Sequence, residues 1–133
     1  MSSAANKVLF GITDIFFIGR VEGALRAVSG IEAIWASPGD SLLSLYETHR
    51  PGFVVLDLQD VAIDTIDAAA RIRAVAGPGT QLIGFYPHIR MDIRASAEAA
   101  GVDRILARSA FTKLLPQILT EISTSRPAER NKT

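Results

Sequence analysis

The chain has no cysteine, so disulfides, thiolate nucleophiles and thiolate metal sites are excluded together, and a reducing compartment is the expectation. It also has no excess of either charge: fourteen Lys and Arg balance fourteen Asp and Glu. Without a net positive field there is little to hold a phosphate backbone, which argues against nucleic acid as a partner. No apolar run approaches the roughly 18 residues of a membrane span, and Met1 to Lys7 is small and polar, without the pattern of a leader. A cytoplasmic protein that neither enters nor crosses a membrane is expected. No G-x-G-x-x-G follows the first apolar run, and there is no phosphate-binding G-x-x-x-x-G-K-[ST] loop and no serine set between glycines. A nucleotide or flavin carrier therefore remains only a distant alternative.

What is present is a core-forming composition, with 48% hydrophobic and 21% charged residues, enough for one packed domain in 133 residues. Residues 1–124 are expected to form it, with the apolar-poor stretch 125–133 (SRPAERNKT) as a disordered tail. Short β-branched or aromatic runs alternate with longer segments of helical spacing, which predicts βα units around a parallel sheet. Lys7 to Ile12 (KVLFGI) hardly alternates and reads as a strand buried on both faces. Asp14 can cap the next helix, whose stripe of Ile18, Val21, Leu25 and Val28 ends at Gly30. Ile31 to Ala36, partly polar, suits an edge strand. Ser37-Pro38-Gly39-Asp40 turns into a helix over Ser41 to His49, stopped by Pro51-Gly52.

Phe53 to Leu58 (FVVLDL) is the most apolar run and is expected at the centre of the sheet, yet Asp57 stands near its C-terminal end. A helix over Val61 to Ala76 follows, with Ile66, Ala69, Ile72 and Val75 as its apolar stripe. Gln81 to Tyr86 is a fourth strand, Met91 to Ala100 a helix ended by Gly101, and Arg104 to Ala107 a fifth strand. The last helix should run from Phe111 to Ser123. Pro116 should kink it or sit in its first turn, which would move its start toward Leu115.

In a doubly wound sheet the ligand crevice lies beyond the C-terminal strand ends. Those ends carry Ile12-Thr13-Asp14, Asp57, Tyr86-Pro87-His88 and Arg108-Ser109. With VVLDL closing the third strand and AAGVDRILARSAF leading through the fifth, the chain resembles the receiver domain of bacterial response regulators over about residues 7–123. The resemblance implies a flavodoxin-like sheet in the order 2-1-3-4-5 with five helices. It also implies a phosphoacceptor aspartate, an acidic pair after strand 1 that helps hold magnesium, a Ser/Thr ending strand 4 and a lysine ending strand 5.

Asp57 matches the acceptor. The acidic pair falls on Ile12 and Thr13, or on Thr13 and Asp14 if shifted by one, so Asp14 and Asp57 are the metal ligands that survive. A magnesium site built from them should be weak, because this ion wants several oxygens in near-octahedral array. Tyr86 replaces the small hydroxyl residue, Arg108 the lysine, and Gln59-Asp60-Val61 the Met-Pro-Gly that often follows the aspartate. Arg108 is also placed to pair with Asp57 across converging strand ends. The expectation is a degenerate, non-enzymatic receiver with a phosphate-independent or impaired pocket of Thr13, Asp14, Asp57, Tyr86 and Arg108. No attached output unit is expected, and no cofactor unless the pocket is competent for magnesium. It would act on a protein partner, a kinase, a scaffold or another copy of itself, through helix 1 or the face of helix 4, strand 5 and helix 5. The alternative is a conventional response regulator phosphorylated on Asp57.

Neither His49 nor His88 supports a metal site. Trp35 and Phe16-Phe17 are read as core or partner surface. Arg90, Arg94, Arg104 and Arg108 are interleaved with Asp92, Glu98 and Asp103, a solvated mixed face.

Overall fold

A computed structural model of the chain describes residues 6–60 and 62–125. The tail expected over 125–133 lies outside them apart from Ser125. Five strands, β1 (Asn6–Gly11), β2 (Ile31–Trp35), β3 (Phe53–Asp57), β4 (Gln81–Tyr86) and β5 (Arg104–Ala107), alternate with five helices. These are α1 (Ile15–Leu25), α2 (Leu42–His49), α3 (Thr65–Ala76), α4 (Met91–Ala100) and α5 (Arg108–Thr124). All strands pair in parallel, in the order β2-β1-β3-β4-β5. The sheet is therefore the expected doubly wound one, with the all-buried β3 at its centre.

Alternation along the central strands divides the core into two layers. Leu9, Val54, Leu56, Leu58 and Leu82 face Ala69, Ile72, Ile93 and Ala97 of α3 and α4. Val8, Phe10, Val55, Ile83 and Phe85 face Val21 of α1 and Phe111, Leu115, Ile118 and Ile122 of α5. Gly84 stands where a side chain would collide: a Cβ there would come within 2.7–2.8 Å of the Leu58 side chain.

Three boundaries differ from expectation by more than one residue. The third helix begins at Thr65, since Asp60 spends its carboxylate on the amides of Ala62 (2.8 Å) and Ile63 (3.1 Å), and Asp64 caps the helix through Asp67 N. Val61 lies outside the described residues. The first helix ends at Leu25 rather than reaching Gly30, because Ala27 N bonds Ala24 O and Val28 N bonds Leu25 O, a tightening to three-residue closures. The last helix starts at Arg108 and runs through Pro116. Five buried side chains, Phe111, Leu115, Ile118, Leu119 and Ile122, bind it to the sheet on both sides of the proline. That burial outweighs the roughly 3 kcal/mol that an interior proline costs a helix.

Candidate functional site

Asp57 closes β3, is 5% exposed, and carries a polar group into an apolar setting. Its Oδ1 accepts from Gln59 N at 3.1 Å, and its carbonyl accepts from Thr65 Oγ1 at 2.7 Å. Burial raises its pKa above the ordinary value; the Gln59 amide and the Arg108 charge oppose this, while Asp60 and Asp14 reinforce it. Arg108, the first residue of α5, places Nη2 3.6 Å from Asp57 Oδ2. The contact is an ion pair, longer than a hydrogen bond and without the bidentate geometry open to arginine. The guanidinium is held from below by aromatic faces, 5.2 Å over the Phe17 ring and 5.8 Å over Phe85. Those rings belong to a stack in which Phe85 lies 4.6 Å from both Phe17 and Phe111.

Asp60 is the residue that sequence reasoning missed. Three positions beyond Asp57, it reaches back across the sheet end to the β1–α1 loop and accepts from Thr13 N (2.8 Å) and Thr13 Oγ1 (2.7 and 2.9 Å). With the Ala62 and Ile63 amides, this engages both of its carboxylate oxygens and joins two loops that would otherwise meet solvent separately. An Asp just ahead of a helix signals a local turn of this kind. Its long-range partner, Thr13, has no such signal.

Thr13, Asp14, Asp57, Gln59, Asp60 and Arg108 line one cleft of about 270 Å³ at the C-terminal strand ends. Four of the five expected pocket residues are thus together. Tyr86 is not among those lining the cleft. It is buried in the layer facing α3 and α4, with Arg94 Nη1 3.4 Å from its hydroxyl, because strand alternation turns it to the face opposite Phe85.

Asp14, expected as a metal ligand, uses Oδ1 to cap α1 through Phe16 N (2.9 Å) and Phe17 N (3.2 Å). Among the described residues no group of three or more His, Cys, Asp or Glu side chains is arranged to hold a metal ion. Asp60 takes N–H and O–H donors on both oxygens, Asp14 gives Oδ1 to a cap, and a guanidinium stands 3.6 Å from Asp57, which leaves few uncommitted carboxylate oxygens for the magnesium that the resemblance implies. Elsewhere, His88 is exposed, and the basic residues of the mixed face are matched by Arg90–Asp92, Arg94–Glu98 and Arg104–Glu121 contacts. Phe17 is core, whereas Phe16 is 86% and Ile15 74% exposed. No helix among the described residues is long and apolar enough to cross a membrane.

The topology and the strand-end cleft define a receiver-type doubly wound fold. Among solved structures, the chain is similar to the signal receiver domain of NarL from Mycobacterium tuberculosis (TM-score 0.74, 20% identity, covering 93% of this chain and 100% of that one). It is similar too to the phosphorylated cyanobacterial phytochrome response regulator RcpA (0.72, 16%, 92% and 98%) and the chemotaxis response regulator CheY4 of Vibrio cholerae (0.72, 17%, 90% and 99%). At these identities the likeness is one of fold. No family model matches the chain, and no curated protein does.

Proposed function

We propose that this chain is a receiver-like module of two-component signalling that works by binding another protein, with aspartyl phosphorylation impaired or absent. The observation that carries this reading is the internal occupation of the cleft: Arg108 beside Asp57, and Asp60 bound to Thr13. In the receiver mechanism the carboxylate is the nucleophile, and a divalent ion neutralises charge on the transferring group. Here one carboxylate that could serve such an ion caps a helix and another latches a loop. A charge needed by the chemistry is thereby turned to structure. Support for signalling comes from the likeness to the receiver domains of response regulators. The exposed Ile15 and Phe16 at the start of α1, and Ile89 and Met91 ahead of and within α4, supply apolar contact area for a protein partner.

The second reading, a conventional regulator phosphorylated on Asp57, is favoured by one observation: the carboxylate stays at the end of the central strand, in a cleft. Incubation with acetyl phosphate and magnesium, followed by intact mass, separates the two. Our reading expects no adduct. A gain of about 80 Da, the mass of a phosphoryl group, that disappears in Asp57→Ala would establish the second.

A further inference from the structure

We propose that β2 is a self-association edge, through which a second copy of this chain adds its own β2 antiparallel and extends the sheet to both protomers. This goes beyond the reading of the Asp57 cleft and does not depend on it. The backbone supplies the first argument. Gly30 O and Ala36 N bond inward to β1, at Asn6 N (2.8 Å) and Phe10 O (3.0 Å). Alternation then turns the amides and carbonyls of Ile31, Ala33 and Trp35 outward, three residues' worth of ladder at the sheet edge.

Natural edges carry Lys, Pro, bulges or a covering element. Ile31–Trp35 has none of these among its side chains, and Glu32 is its single charge. The opposite edge is treated differently: β5 has four residues, opens with Arg104, and its Ile105 carbonyl accepts from Arg94 at 3.4 Å.

Side chains supply the second argument. Ile31, Ala33 and Trp35, with Glu22 and Leu25 of α1 and Arg26 just after it, line a groove of about 440 Å³ along this edge. Trp35 is half-buried, its ring stacked 4.5 Å from Phe10 with one flank left toward the groove. A two-fold axis beside Ala33 makes the edge self-complementary. Ala33 then meets the second copy's Ala33 and Ile31 its Trp35, and the exposed Glu22 and Arg26, four residues apart beside the groove, let each copy set its Arg26 against the other's Glu22. Opposite charges thus face each other twice from one sequence. The chain's zero net charge offers no long-range repulsion against such pairing.

Sedimentation velocity on the full chain, from about 1 to 300 µM, tests the proposal, with emission of Trp35 as a second readout since it is the single tryptophan. A concentration-dependent dimer is expected, with Trp35 emission shifting to the red on dilution. Ala33→Pro removes an outward amide and should weaken the dimer at least about tenfold. Glu22→Arg, on an exposed position, should weaken it about tenfold, and adding Arg26→Glu should restore it. If Ala33→Pro does not keep its native circular dichroism, the charge swap decides. A chain that stays monomeric at 300 µM, or a dimer indifferent to Glu22→Arg, overturns the proposal.

Discussion

Arg108 and Asp57 approach to 3.6 Å without closing a hydrogen bond, because the guanidinium rests over Phe17 and Phe85. The aromatic faces fix where the charge sits, and the carboxylate receives attraction without a tight partner. Asp57 is therefore a buried anion whose desolvation outweighs its compensation, which is why its pKa lies above the ordinary value of 3.8.

Asp57→Asn should stabilise the protein at neutral pH. A carboxyl with a raised folded pKa contributes stability that is fully present below its unfolded pKa and is lost as pH rises through the folded value. As pH rises through the folded value the wild type comes to hold an ionised, poorly solvated Asp57, and the amide removes that burden. Thermal melts should show a gain of about 2–4 °C at pH 7 that shrinks toward zero near pH 3.5.

Arg108→Met should move the Asp57 titration further up, since the arginine charge is one of the influences holding it down. Carboxyl-carbon NMR across pH reads this directly. The same change should lower stability by about 0.5–1 kcal/mol through the lost contact with Phe17 and Phe85. An unmoved Asp57 titration would mean the 3.6 Å approach is not maintained in solution.

The Thr13–Asp60 latch should have a graded energy. Thr13→Val removes only the hydroxyl donor and should cost about 1 kcal/mol; Asp60→Ala also strands the amides of Thr13, Ala62 and Ile63 and should cost about 2 kcal/mol. Urea unfolding measures both. Equal costs would show that the hydroxyl carries the whole contact.

Pro116→Ala should stabilise the protein by about 1–3 kcal/mol, because alanine restores the amide an interior helical position lacks. No gain would point to a helix already distorted there.

This last case shows where sequence reasoning reached and where it stopped. The parallel sheet was legible because central strands such as FVVLD are apolar without alternation, and the cap at Asp14 because its oxygen bonds amides two and three residues on, whereas Ser41, read as the first residue of its helix, is the cap of that helix. The span of α5 was not, since local propensity at Pro116 was weighed without the burial of Phe111 and Ile118 on either side. In the cleft, Asp57, Asp14, Thr13 and Arg108 were legible from strand ends alone. Tyr86 was misplaced because its position on the strand was read without the face it turns to, and Asp60 was missed because its bond to Thr13 spans 47 residues of chain.

The most direct test of the occupied cleft watches two amides, Gln59 N, which donates to Asp57, and Thr13 N, which donates to Asp60. Their ¹H–¹⁵N resonances would be followed while magnesium, then acetyl phosphate, is added. Both should stay in place at millimolar magnesium, and no new state should appear with the phosphodonor. Saturable shifts at Gln59 with magnesium, followed by a second set of resonances that Asp57→Ala abolishes, would contradict it.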